Sequence, residues 1–262
     1  MHDHDGLDLV SPTEAREAIA ALEIGSGTER VPLREARGRV LAESVVAGID
    51  VPGFDRASKD GYAVRAADTR DASQRSPVTL SVAGRVVAGE EPDVSVDAGE
   101  AVQIATGAVI PDGADAVVMV EDTAERGDEI DAQRALAPGE NVMPAGTDIA
   151  AGDHGLSAGT ALSPRTVGLL AALGRETVSV YRRPRVGIVP TGDELVAAGD
   201  SLRPEAGQVY DVNTPALSAA VASAGGEPSV RERVSDDREA MRSALESAAE
   251  EADLVLTSGA TS

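Results

Sequence analysis

"RVGIVPTGDEL", residues 185–195, decides the fold: an apolar run ends in a polar loop that carries glycine. An unbroken apolar run of this length marks a strand buried on both faces. Downstream, helices and strands alternate. "TPALSAAVASAG" (214–225) reads as a helix with Pro215 at its start and Gly225 at its end. "EPSVRERV" (227–234) reads as a strand. "DDREAMRSALESAAEEA" (236–252) reads as a helix with Met241, Leu245 and Ala248 on one face, and "DLVLTSG" (253–259) as another buried strand. Strands alternating with helices predict a parallel, three-layer α/β sheet over 182–262. With three strands this α/β domain is expected to be incomplete, because a parallel sheet needs both faces covered.

Upstream the texture changes. "PVTLSVAGRVVAG" (77–89), "AVQIATGAVIPDGADAVVMVED" (101–122) and "DEIDAQRAL" (128–136) are short β-rich runs cut by Gly, Pro and Asp. They predict a compact β-rich domain over 51–140. Residues 1–50 and 141–181 are expected to form a helical and Gly-rich linker domain. There, Ser11 as N-cap, Pro12 and Glu14 open a helix with Ala15, Ile19 and Leu22 on one face. "PLREARGRVLAE" (32–43) repeats that spacing with Leu33, Ala36 and Val40, which predicts a second helix. "PRTVGLLAAL" (164–173) predicts another, closed by Gly174. The fold class is thus multidomain, α/β plus β.

The composition excludes several functions. The 262 residues carry a net charge of −22, which repels nucleic acid phosphates and anionic membranes. Lys59 is the only lysine; the other basic residues are arginine. A dispersed acidic surface with almost no lysine resembles the proteins of salt-in halophiles, the competing reading being an acidic interaction tail. The chain has no cysteine, so disulfides, thiolate zinc sites and cysteine nucleophiles are excluded. No apolar run approaches the roughly 18 residues of a membrane span. "MHDHDGLDLV" does not read as a signal peptide, and a cytoplasmic location is expected. Its "HDHD" reads as a polar terminus or as a metal-binding run.

In open α/β sheets, ligands bind beyond the carboxyl ends of the strands. Three loops answer to that: "TGDEL" (191–195), "VSDD" (234–237) and "TSGATS" (257–262). Glu194 and Asp236 offer carboxylates there; Thr191, Gly192, Ser258 and Gly259 offer hydroxyls and backbone. Such loops suit phosphate, and nearby carboxylates suit Mg²⁺ bridging to it. Plainer readings stand beside each residue. Asp236 is also a helix N-cap with Glu239 completing a capping box, and Glu194 a solvated residue in a helix's first turn. Asp60, in "SKDGYAVRAAD" (58–68), is also a turn residue before Gly61. Thr106 is also a loop hydroxyl, and Asp148 a turn residue.

The ordered blocks "VPGFDRASKDGYAVRAADT", "QIATGAVIPDGADAVVMVED", "GENVMPAGTDIAAGD", "LSPRTVGLLAALG", "RRPRVGIVPTGDELV", "GQVYDVNTPAL" and "ADLVLTSGATS" resemble the MoeA and gephyrin E-domain family. The resemblance runs from about residue 10 to the last. It implies a molybdopterin molybdenumtransferase: a Mg²⁺-dependent enzyme that takes adenylylated molybdopterin and molybdate and releases AMP. It implies Asp60, Thr106 and Glu194 as catalytic residues, with Asp60 and Glu194 toward the metal. It implies Asp148, Thr191, Gly192, Asp236, Ser258 and Gly259 as substrate-binding residues. It also implies a homodimer whose cleft joins the α/β domain of one subunit to the β domain of its partner, and the molybdopterin adenylyltransferase as a further partner. Two departures stand out. Lys59 occupies a position that is usually methionine in the family, and "SGATS" replaces "SGGVS". The family's chain continues beyond that loop, so a C-terminally truncated chain with little activity of its own is expected. The alternative is a non-catalytic remnant that binds ligand or dimerises. A molybdopterin adenylyltransferase fits less well, because that family is essentially the α/β domain alone and carries "GGTG" in place of "SGATS".

Overall fold

The computed structural model describes residues 10–22, 24–25 and 27–259. The "HDHD" run and the last three residues of "SGATS" lie outside them. The chain divides into two compact units. One comprises Met1–Glu43, Ala158–Val167 and Glu176–Ser262; the other comprises Ser44–Ser157 and Gly168–Arg175.

Helix α1 (Pro12–Ala20) starts at the expected N-cap. Glu14 N–H donates to the Ser11 hydroxyl, and Ser11 N–H donates to the Glu14 carboxylate at 2.7 Å. None of its residues is buried. The second expected helix is absent. Strand β1 (Thr28–Pro32) runs instead into a single 3₁₀ turn at Leu33–Glu35. The segment is held by long-range pairs: Leu33 N–H donates to Glu176 O at 2.8 Å, Val40 bridges to Ala161, and its neighbour Leu41 bridges to Val180. Leu33, Ala36 and Val40 satisfy a helical period by spacing alone, and tertiary pairing overrides it.

The second unit is built on β2 (Gly61–Val64), β3 (Val78–Val86), β4 (Glu100–Ile104), β5 (Ala116–Met119), β6 (Thr123–Arg126) and β7 (Glu129–Ala132). They form one six-stranded sheet in the order β5–β2–β4–β3–β7–β6. Every pair is antiparallel except β3–β4, whose register shifts at Val82/Gly84. Alternate side chains leave opposite faces of a strand. Tyr62 and Val64 accordingly join a core with Leu80, Val118 and Ile130, whereas Ala63 joins another with Val86, Val102 and Val117. The sheet is therefore buried on both faces, and each fully buried aliphatic side chain contributes about 1.5–3 kcal/mol. Tyr62 donates its hydroxyl to the Glu125 carboxylate at 2.6 Å. Burial, then that acceptor, pushes the phenol up to about 12.

Helix α2 (Pro164–Ala172) ends as expected, with Gly174 at φ 72°. Gly174 N–H reaches Ala171 O, and Arg175 N–H reaches Leu170 O, closing a Schellman motif.

The first unit resumes with β8 (Thr177–Tyr181), antiparallel to β1. Then come β9 (Arg185–Pro190), α3 (Asn213–Ser223), β10 (Glu227–Val230), α4 (Arg238–Glu251) and β11 (Leu254–Ser258). β9 lies between β10 and β11, parallel to both. This is the alternation expected from 185–195. Met241, Leu245 and Ala248 of α4 pack on Val189 and Val234, as their spacing predicts. The N-cap of α4 is Asp237, whose carboxylate takes the N–H groups of Glu239 and Ala240; Asp236 is not the cap.

The N-terminal ends of β9 and β11 are pinned by Asp253. Its carboxylate accepts from Arg182 Nη2 at 2.8 Å and from Arg185 N–H at 2.6 Å. The Arg182 bond first, and the Arg185 N–H second, hold this carboxyl below the usual aspartate range. A depressed folded-state pKa contributes stability above the ordinary pKa and loses it as pH falls through the folded value. Asp253→Asn should thus cost about 1 kcal/mol near pH 7, after discounting a partner that is about a third exposed. Urea unfolding at pH 7 and in strong acid checks this. The gap between variant and parent should close in acid, and a gap that stays the same at both pH values refutes the charge argument.

Candidate functional site

In the six-stranded unit, Asp60 occupies the turn that enters β2, and Thr106 the turn that leaves β4. The antiparallel register pairs Gly61 with Ile104, which brings these two turns side by side. Thr106 N–H donates to Asp60 Oδ1 at 2.7 Å, and Thr106 Oγ1 donates to the same oxygen at 2.9 Å. Both residues are exposed. The Thr106 N–H, then its hydroxyl, hold the Asp60 carboxyl below the usual aspartate range, so it is ionised at neutral pH. The backbone is fixed too: Val120 N–H donates to Asp60 O, and Gly107 N–H to Ala57 O. Asp60 is therefore both a turn residue and a positioned carboxylate, and the two readings of it are not exclusive.

Gly61 is required by this geometry. A β-carbon there would sit 2.0 Å from Val118 O, against backbone that has no rotamer to change. Lys59 is exposed and forms no ion pair among the described residues; the adjacent Asp60 turns to Thr106 instead. Asp148 lies exposed in a separate turn, where its N–H donates to Val51 O at 2.9 Å.

In the α/β unit, the carboxyl ends of β9 and β11 meet. Thr191 is buried, and both its N–H (2.9 Å) and its hydroxyl (3.0 Å) donate to Ser258 O. Gly259 follows at φ 115°; a β-carbon there would lie 2.2 Å from Thr191 O. On the other side Gly192 N–H donates to Val234 O at 3.2 Å. The structure thus gathers Thr191, Gly192, Ser258 and Gly259 at one end of the sheet. Glu194 is exposed, and its carboxylate folds back over Gly192, within 3 Å of where a β-carbon would stand. It begins no helix; Leu195–Val196 pairs as a short strand with Val209–Tyr210. Asp236 is exposed at the entry to α4.

A cleft of about 430 Å³ adjoins these loops, lined by Pro190, Leu195, Asp211, Thr214, Arg231 and Arg233, among others. Sequence reasoning misses its arginines, because charges at alternate positions beside a strand read as a solvated edge. Arg233 Nη1 donates to Gly192 O at 3.1 Å and to Asp193 O at 2.8 Å, bracing the loop that carries Glu194. Among the described residues no three His, Cys, Asp or Glu side chains gather into a metal cage. Mg²⁺ seldom needs one, since it commonly takes one or two carboxylates and completes its shell with substrate phosphates and water. Singly placed, exposed carboxylates such as Asp60 and Glu194 fit that habit.

The sequence profile described as "MoeA N-terminal region (domain I and II)" matches residues 10–174. The chain belongs to the MoeA family. The profile described as "Probable molybdopterin binding domain" matches residues 187–262, the α/β part of this MoeA chain. A molybdopterin molybdenumtransferase from Nostoc is 38% identical over 93% of the chain and 56% of its own length. Molybdopterin molybdenumtransferase 2 from Mycobacterium tuberculosis is 40% identical, over 96% of the chain and 62% of its own length. The crystal structure of a molybdopterin biosynthesis MoeA protein from Pyrococcus horikosii superposes with a TM-score of 0.86 at 42% identity. That match covers 96% of this chain and 64% of that one. This MoeA chain therefore spans roughly 56–64% of the length of these relatives. No helix among the described residues is long and apolar enough to cross a membrane.

Proposed function

We propose that the protein is a molybdopterin molybdenumtransferase of molybdenum cofactor biosynthesis, inserting molybdate into adenylylated molybdopterin with Mg²⁺ and releasing AMP. The observation that carries the reading is the Asp60 carboxylate, held ionised and exposed by two donors from Thr106. An ordered carboxylate facing solvent contributes nothing to a core and suits a charged reaction centre. In this reading Asp60 and Glu194 serve the metal, which when bound would neutralise charge on the phosphate and oxyanion. Thr191, Gly192, Ser258 and Gly259 shape the floor that receives the substrate, with Asp148 and Asp236 as further binding groups. The direct test supplies the protein, as its cell makes it, with adenylylated molybdopterin, molybdate and Mg²⁺ in concentrated KCl. AMP release that stops on chelation is expected; no AMP release with Mg²⁺ present would sink the proposal.

The protein acts, on this proposal, as a cytoplasmic homodimer of a salt-adapted organism, and receives its substrate from a molybdopterin adenylyltransferase. Supporting the dimer, Ile19 in α1 and Leu22 just after it are 67% and 53% exposed. Apolar groups left outside every core are candidates for a partner surface. Light scattering in concentrated KCl, which screens the self-repulsion of a −22 chain, should give twice the chain mass. Ile19→Asp should return it to the monomer. A parent that scatters as a monomer in the same salt counts against the dimer.

A further inference from the structure

The cleft beside the "TGDEL" loop has a wall the proposed roles leave unused. Beyond Val230 the chain stays alongside β9: Arg231 N–H donates to Ile188 O, and Val234 N–H to Pro190 O, both at 2.9 Å. Residues two apart on extended chain point to one side. Arg231 and Arg233 both line the cleft. Arg231 Nη2 pairs with Glu251 at 2.9 Å, yet its Nε is buried with no hydrogen-bond partner among the described residues. The Thr214 hydroxyl, lining the same cleft, is buried and unpartnered in the same way. A buried donor without a partner is unfavourable, and an acceptor that a small side-chain shift brought to it would relieve that penalty.

The charge distribution points the same way. Arg233 forms no ion pair among the described residues, although the chain carries nearly twice as many acids as bases. Among the described residues its hydrogen bonds go to the two loop carbonyls. Of the carboxylates lining the cleft, Asp211 is already engaged, since its Oδ1 accepts from Asn213 N–H and Thr214 N–H. Asp200 is exposed. A guanidinium presents a planar fork of donors that matches a tetrahedral oxyanion.

We infer that Arg231 and Arg233, with the Thr214 hydroxyl, form an oxyanion-binding wall of this cleft, taking a phosphate group or a free tetrahedral oxyanion of the reaction proposed above. This rests on that proposal for the identity of the ligand, but the arginine wall is tested apart from turnover.

Titration calorimetry with inorganic pyrophosphate, without Mg²⁺ and in the same concentrated KCl as the turnover assay, is the measurement. The parent should bind it. Arg231→Met and Arg233→Gln should each weaken binding about tenfold and together about a hundredfold. Arg231→Lys with Arg233→Lys keeps both charges and should recover about tenfold of that loss, which separates charge from a fold defect. Molybdate that displaces pyrophosphate assigns the wall to the free oxyanion. Molybdate that fails to displace it assigns the wall to a phosphate ester, and either result keeps the inference. No pyrophosphate binding by the parent, equal binding by the neutral double variant, or no recovery with lysine overturns it. Arginine-dependent binding without any AMP release in the turnover assay would instead sink the proposed reaction and leave the wall standing.

Discussion

Gly61→Ala should cost the six-stranded unit about 4 kcal/mol, measured by urea unfolding, and is the largest stability loss we expect from a single methyl group. The added carbon would lie 2.0 Å from Val118 O, 2.9 Å from Val118 C and 3.0 Å from Met119 Cα. All three atoms are backbone of β5, hydrogen-bonded to β2 in a register that pairs Gly61 with Met119. No side-chain rotation relieves the overlap, so the two strands must part, and with them the burial of Tyr62 and Val64. Gly168→Ala is the control. That glycine is inside α2 with nothing within 4 Å of the added carbon, and alanine there should stabilise by roughly 0.5–1 kcal/mol. A Gly61→Ala variant within about 0.5 kcal/mol of the parent would show that the close approach relaxes cheaply.

If the proposed reaction holds, Asp60→Asn in the protein as its cell makes it should lower turnover about a hundredfold while leaving the urea midpoint where it was. The asparagine carbonyl can still accept from Thr106 N–H and Oγ1, so the turn keeps its shape. What is lost is a negative charge at an exposed point on rigid strand ends. Thr106→Ala is the companion variant. It removes one of the two donors, and the Asp60 carboxyl should titrate closer to the ordinary aspartate value by NMR. If turnover and unfolding midpoint fall together in Asp60→Asn, the carboxylate is a structural tie between two turns.

The sequence announces some of this architecture and hides the rest, for physical reasons. The α/β unit is legible because parallel strands buried on both faces must be apolar throughout, as Val186, Ile188 and Val189 are. Its candidate site loops follow from topology, since polar residues after such strands stand at the sheet's carboxyl edge. The 32–43 segment misleads because a helical spacing and two long-range β-bridges make the same demand on apolar positions. Asp236 and Asp237 are adjacent, and only the backbone angle decides which one caps α4. The partnership of Asp60 with Thr106 spans 46 residues and is set by strand register, which no local pattern encodes; the family resemblance supplies both residues. Arg231 and Arg233 escape sequence reasoning because which of their nitrogens are paired, and with what, is a property of the folded chain alone.

The interruption of one unit by the other has a consequence for how the chain folds. The β1–β8 ladder joins residues roughly 145 positions apart, and closing a flexible coil of that length costs about 4 kcal/mol beyond a constant. The intervening residues are not a coil once folded. Val45 pairs with Leu156 and Val46 with His154, so the insert's own entry and exit strands run side by side. When that insert is formed, about 35 residues are left to close between β1 and β8, and the same logarithmic rule lowers the cost by about 1 kcal/mol. The most distant strand pairing among the described residues then becomes, kinetically, one of middle range.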